Sequence, residues 1–214
     1  MSSPEPSAKR QRMPRDERRE QVLEIAQELF ATQGYHHVSM DDIADQADVS
    51  KPVLYRHFPS KLDLYLAVVD RGGEALLREV TAALEQLEDP SAGEVDGRAV
   101  VDALVRAYFR YVEAAGQASS LLFESDVTRD EDVRARVESA SVETARHISD
   151  VLERYTGLTQ AENELVATAL VGMARVAASS RHRGDGPYAA LPVEEAAELV
   201  ARLAWGGVTG LVRE

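Results

Sequence analysis

The sequence contains no cysteine. Disulfides, thiolate metal sites and a cysteine nucleophile are therefore excluded. It has one tryptophan, and aromatic residues make up only 6% of it. No run approaches the roughly 18 apolar residues that a membrane span needs. Met1 to Arg19 is polar and lacks the apolar segment of a secretory signal. A cytoplasmic protein with no membrane partner is expected. There is no P-loop, no H-E-x-x-H and no G-x-S-x-G elbow, so neither an enzyme nor a cofactor is expected. His36-His37 beside Asp41-Asp42 superficially suggests a metal site, but adjacent histidines rarely hold one ion together.

Positive charge is also scarce. The 24 Lys and Arg residues face 37 Asp and Glu, for a net charge of −13. The imbalance is uneven. Lys9, Arg10, Arg12, Arg15, Arg18 and Arg19 cluster near the start against only Asp16 and Glu17. Residues 1–65 nearly balance, and most of the deficit falls on 66–214. Such a chain is compatible with a nucleic-acid partner, because duplex affinity depends on the face presented to phosphate. The basic arm can equally be a solvated tail.

With 44% apolar and 29% charged residues, the remainder is ordinary for a folded domain. The hydrophobic periodicity is helical throughout, and the expected fold is all-α. Residues 1–13 are rich in Ser, Pro and charge and are expected to be disordered. A first helix should span Arg15 to Gln33, with Val22, Ile25, Ala26, Leu29 and Phe30 inward and Gly34 as its stop. Ser39 with Asp42 reads as a capping box for a second helix to Gln46. Ser50 should cap a short third helix ending near His57, with Pro52 tolerated in its first turn. Ser60, with Asp63, should start a fourth helix to about Leu87, bent or broken at Gly72-Gly73.

Further helices are expected from Arg98 to Ala115, from Thr128 (with Glu131) to Tyr155, from Thr159 (with Glu162) to Ser180, and from Val193 to Val212. A short segment around Ser119 to Asp126 sits between the first two. Val133, Val137, Ile148, Leu152, Leu165, Val166, Ala169, Leu170, Met173, Leu199, Val200, Leu203 and Leu211 are expected to face inward.

Residues 39–64 fit one specific chemistry. Two short capped helices joined by a tight turn make a helix-turn-helix, which places its second helix in the DNA major groove. Ile43, Ala44, Ala47, Val49, Leu54, Phe58 and Leu62 would hold the pair together. Lys51, in the first turn of the second helix, can donate to guanine O6 and N7, and Pro52 and Val53 can touch a thymine methyl. Arg56 can reach a base edge or a phosphate. Tyr55, His57, Lys61 and Ser39 suit phosphate oxygens. Tyr55 has an alternative as a core aromatic, and His57 as a bystander.

Val49-Ser-Lys-Pro-Val-Leu-Tyr-Arg-His-Phe-Pro-Ser-Lys61, with Ile43-Ala44 and Phe30…Gly34-Tyr35 upstream, closely resembles the TetR family of transcription regulators. The likeness covers Arg15 to about Val69. It implies a helix-turn-helix DNA-binding domain over residues 14–60 and a helical ligand-binding and dimerisation domain over 61–214. It implies DNA contacts by Ser39, Lys51, Pro52, Val53, Tyr55, His57 and Lys61; Ser50 and Arg56 complete the candidate set. Some members carry a hydroxyl at Val53, and Val53 has none to offer.

Leu121-Leu122-Phe123-Glu124-Ser125-Asp126, Leu170-Val171-Gly172-Met173, Ala204-Trp205-Gly206-Gly207 and Pro14-Arg15-Asp16-Glu17-Arg18-Arg19 are similar to actinobacterial TetR-type regulators of fatty acid synthase genes. That resemblance implies a long-chain acyl-CoA effector. Candidate effector contacts are Leu104, Tyr108, Val112, Leu121, Leu122, Phe123, Met173 and Val176, each of which is otherwise ordinary core. Arg106, Arg110, Arg175, Arg181 and Arg183 are candidates for CoA phosphates. A homodimer is expected, because one short recognition helix reads few base pairs. The last two helices can supply its interface, with Gly206 and Gly210 permitting close approach. The alternatives are a repressor of an efflux or catabolic operon answering another hydrophobic molecule, and a helical protein-interaction adaptor.

Overall fold

The computed structural model describes residues 14–88, 96–123, 131–154, 156–184 and 186–208. Among these residues there is no strand, and the helices run α1 (Arg15–Gln33), α2 (Met40–Gln46), α3 (Lys51–His57), α4 (Lys61–Glu85), α5 (Gly97–Ala115), α6 (Ser119–Phe123), α7 (Glu131–Leu152), α8 (Gln160–Arg183) and α9 (Val193–Val208). Residues 1–13 of the expected basic arm, Thr128, Gly210 and Leu211 lie outside the described residues, as do the side chains of Phe123, Val133 and Val137.

The first three helices follow from their ends. α1 stops where Gly34 adopts φ +81, a left-handed value that glycine reaches without steric cost. Its N–H donates to Phe30 O at 3.0 Å. The α2 capping box is complete: the Ser39 hydroxyl accepts from Asp42 N–H at 3.1 Å, and Ser39 N–H donates to Asp42 Oδ2 at 2.8 Å. The turn into α3 closes with Ala47 N–H on Ile43 O at 2.9 Å and Val49 N–H on Ala44 O at 3.0 Å. Asp48 sits there at φ +50, which Asp tolerates better than branched residues. Ser50 occupies the cap position of α3, but its side chain makes no capping bond. Ile43, Ala44, Ala47, Leu54 and Phe58 are fully buried between the helices, while Val49 and Leu62 pack at the margin. In α1, Val22, Ala26, Leu29 and Phe30 are buried as the periodicity implies; Leu23 joins them, and Ile25 is only half-buried.

α4 joins this unit to the rest. Tyr65 is fully buried, with its ring edge-on to Phe30 at 5.3 Å and to Tyr35 at 5.0 Å. The Lys61 ammonium donates to the carbonyls of Tyr35 at 2.7 Å and Val38 at 2.8 Å. It also lies 4.2 Å from the centre of the Tyr35 ring. Arg71 bonds Glu24 of α1 at 3.1 Å.

No break occurs at Gly72-Gly73, and α4 is one continuous helix. Gly73 is buried, and a Cβ on Gly72 would stand 3.2 Å from the Tyr111 hydroxyl. The two glycines admit α5 close to α4. That packing offsets the roughly 1 kcal/mol per glycine that their flexibility costs a helix.

α5 is the centre of the larger part, with Val100, Val101, Leu104, Val105, Tyr108, Phe109 and Val112 all buried. α7 adds Ile148 and Leu152. α8 starts with a second complete capping box, Thr159 with Glu162, and runs past the expected Ser180 to Arg183. Beneath it the Thr156 hydroxyl donates to Asn163 Oδ1 at 2.8 Å, pairing two buried polar groups.

Several residues expected to face inward do not. Leu165 is 71% exposed, Leu203 67% and Leu199 52%; Ala169 is exposed too. The buried residues are largely small: Ala167, Ala174 and Ala178 on α8, and Ala196, Ala197, Ala201 and Ala204 on α9. α8 and α9 are apolar on more than one side. The small side admits close helix approach, which leaves the leucines outside.

Lys61→Met should preserve the stem and ring contact but leave the Tyr35 and Val38 carbonyls without their donor. A loss of about 1–3 kcal/mol is expected in urea or thermal unfolding. An unchanged midpoint would show that the two carbonyls do not depend on Lys61.

Candidate nucleic-acid interface

α3 has two faces. Leu54 is fully buried and, with Phe58 just beyond the helix, anchors one side. Lys51, Pro52, Tyr55 and Arg56 are exposed on the other, at the i, i+1, i+4, i+5 spacing of a single helical face. Tyr55, 46% exposed, is therefore not a core aromatic. Val53 is half-buried at the edge of this face.

Behind α3 lies an open hollow of about 590 Å³, lined by Arg15 and Arg18 of α1, Asp48, Val49 and Ser50 of the turn, and Val53, Arg56 and His57 of α3. Arg19, one turn along α1 from Arg15, lies 5.1 Å from the centre of the Phe58 ring. Burial holds the His57 imidazole below its ordinary pKa, and the charges of Arg15, Arg56, Arg19 and Arg18 push it further down. His57 thus reports a concentrated positive field in a chain of net charge −13.

Three candidate contacts are already engaged. Ser39 donates to Asp42 Oδ2 at 2.6 Å, so its hydroxyl serves the α2 cap. Two of the three Lys61 N–H groups hold carbonyls, and burial lowers the Lys61 pKa. Lys51 Nζ is 2.7 Å from Asp41 Oδ2 on α2. Sequence reasoning weighed Asp41 only as a metal ligand and missed its pairing with Lys51, since the pair spans ten positions and meets only through the turn. It named Arg15, Arg18 and Arg19 as part of an arm without joining them to α3; their i, i+3, i+4 spacing was the available signal.

His37 Nδ1 lies 3.1 Å from Gln33 O, and among the described residues no group of three or more His, Asp or Glu is arranged to hold a metal ion. No described helix is long and apolar enough to cross a membrane.

The effector candidates divide into two sets. Leu104, Tyr108 and Val112 of α5 and Leu121 and Leu122 of α6 are buried together in the core. Burial drives the Tyr108 hydroxyl pKa well upward, against the opposing charge of Arg175 and a hydrogen bond with Thr144. Val176, 58% exposed, is turned away from them. With half-buried Met173, it lines an open apolar groove of about 430 Å³ beside Phe109, Leu191 and Leu199. Among the arginines proposed for phosphate, Arg106 pairs with Asp102 and Glu194, Arg110 with Glu79, and Arg181 with Glu113. Arg183 bonds the Ser180 hydroxyl. Arg175, which acts on Tyr108, also lines a hollow of about 400 Å³ between α7 and α8.

Residues 22–68 match the family described as "Bacterial regulatory proteins, tetR family". The chain is 38% identical to the HTH-type transcriptional activator FasR of Mycolicibacterium smegmatis over 92% of its length and 86% of that protein's. It is 40% identical to the HTH-type transcriptional repressor KstR of Mycobacterium tuberculosis, but over only 26% of this chain and 25% of that one. The crystal structure of a TetR-like transcriptional regulator from Rhodococcus sp. RHA1 superposes with a TM-score of 0.71 and 29% identity, covering 93% of this chain and all of that one. The chain belongs to the TetR family of DNA-binding transcriptional regulators, and its FasR-like relationship extends well beyond the DNA reader.

Proposed function

We propose that this regulator controls fatty acid or lipid synthesis genes, binding a palindromic operator as a homodimer and responding to a long-chain acyl-CoA. The observation that carries this reading is the reach of the FasR similarity, which covers 92% of the chain and so includes α5 to α9. Effector choice resides in those helices, and a likeness confined to the reader would say nothing of it.

At the DNA, Lys51, Pro52 and Val53 face base edges. Tyr55, Arg56, His57 and Ser50, backed by Arg15 and Arg18, face phosphate. Lys61 keeps one N–H for phosphate while its other two hold the α2 entry. Ser39 contributes chiefly by capping α2.

In the body, Leu104, Tyr108, Val112, Leu121 and Leu122 form the inner wall for an acyl chain. Arg175, whose charge acts on the Tyr108 hydroxyl in that wall, is the candidate to meet its polar end. Val176 is reassigned to the dimer face. Leu165 and Val176 lie on one stripe of α8, about three turns apart, and Leu199 and Leu203 lie one turn apart on α9. Exposed leucines on the two adjacent helices suit burial against a second copy. An effector switches such a dimer only by binding its two states with different affinity.

Long-chain acyl-CoA should change operator affinity in a gel shift or anisotropy titration, and short-chain acyl-CoA should not; no response to either would end the lipid reading. Leu199→Glu with Leu203→Glu should convert a dimer to a monomer by light scattering and weaken operator binding at least tenfold, roughly the loss of one half-site's contribution. A dimer that survives both changes would place the interface elsewhere. The pH dependence has a definite sign. Burial and, after it, the arginine field depress the His57 pKa; phosphates offset the arginine part, so binding raises that pKa and takes up a proton. Affinity should therefore increase as pH falls from about 7.5 to 5.5, and His57→Gln should flatten the profile.

A further inference from the structure

We infer that Asp41 is a specificity-determining residue, and that Asp41 and Lys51 together read a single G·C base pair. The inference rests on the reading that the exposed face of α3 enters the major groove. Lys51 is the first residue of α3, and Asp41 the second of α2. The turn between the helices brings Nζ and Oδ2 to 2.7 Å, with the side chains 59% and 55% exposed. Asp45, one turn further along α2, adds to the negative field on Lys51.

A carboxylate on a DNA-facing surface requires a reason. Phosphates, guanine O6 and N7, and thymine O4 are all acceptors, and a carboxylate has only acceptors to offer them. In the major groove only cytosine N4 and adenine N6 donate. Asp41 must therefore meet an amino group or remain on Lys51 alone. A G·C pair presents the complement to both partners. Guanine O6 accepts from Lys51, with N7 in reach of a second ammonium proton, and cytosine N4 donates to Asp41. O6 and N4 are themselves hydrogen-bonded across the base pair, so they lie about 2.9 Å apart. That spacing matches the 2.7 Å between Nζ and Oδ2. The protein pair and the base pair can close a ring of four alternating donors and acceptors without either internal bond being broken.

An A·T pair can close the same ring through thymine O4 and adenine N6, but it offers Lys51 less. No N7 stands beside thymine O4, and the thymine C5-methyl lies there instead, so the ammonium loses its second base acceptor and G·C is preferred. Phosphate fares worst, since it attracts Lys51 and repels Asp41. Asp41 thus restrains Lys51 from the indiscriminate phosphate binding open to a free lysine. As an exposed ion pair it adds little to stability, so its removal should leave the fold intact.

The test selects duplexes from a randomised pool with the full-length protein, then measures affinity on chosen sites by anisotropy. The variants are Asp41→Asn, Asp41→Ala and Lys51→Ala, with thermal melting as the folding control. Asp41→Asn should admit adenine at one symmetric position, since Asn pairs with adenine N6 and N7. Asp41→Ala should cut discrimination there about 5-fold or more while binding random DNA more tightly. If Lys51→Ala relaxes a position that both Asp41 variants leave unchanged, the Asp41 inference fails and α3 base reading stands. If Lys51→Ala relaxes no position, the placement of α3 fails with it. If folded Asp41 variants lose affinity for operator and random DNA equally, Asp41 only positions Lys51, and the inference is overturned.

Discussion

An ammonium held between two carbonyls and an aromatic ring governs the relation of the two parts of this chain. Lys61 belongs to the first turn of α4, yet its bonds run to Tyr35 and Val38, on the stretch that enters α2. Tyr65, one turn on, fills the space between Phe30 and Tyr35. The N-terminal end of α4 is therefore built into the DNA reader, while its later turns pack against α5 and α7. Because Leu64, Tyr65, Val68, Val69 and Leu76 form a continuous buried run, the reader cannot tilt without α4 tilting too. Arg71 and Glu24 add a second tie between α1 and α4.

The electrostatics are arranged at the same scale. A protein of net charge −13 is repelled by DNA at a distance. Within a Debye length the relevant charges are local, and there Arg15, Arg18, Arg19 and Arg56 converge around His57. The acidic body favours approach only in the orientation that presents this face.

Helix boundaries were the most legible part of the structure. Ser39 with Asp42, Ser60 with Asp63 and Thr159 with Glu162 each bond as their spacing implies, because capping is a local interaction between residues three apart. Gly34 ends α1 for an equally local reason. The outward face of α3 was legible as well, since Leu54 and Phe58 fix which side is buried. What escaped depends on tertiary neighbours. Gly72-Gly73 read as a break because helix propensity sees no Tyr111 behind it. Leu165, Leu199 and Leu203 read as core because periodicity counts apolar residues without asking whether alanine or leucine makes the closer fit. Asp41 and Lys51 were assessed separately, and their meeting is a property of the turn that Asp48 closes.

The unbroken course of α4 has a mechanical consequence. Gly72 and Gly73 lie near the middle of the helix, where Tyr111 of α5 stands against Gly72, so this point of contact can serve as a fulcrum. From there to Lys61 the arm is about 18 Å at 1.5 Å per residue. A tilt of about 10° at the fulcrum would carry the reader about 3 Å, close to the 3.4 Å rise between bases along a strand. In a two-fold assembly both arms swing, so a change of packing too small to disturb the core would take two recognition helices out of register with their half-sites.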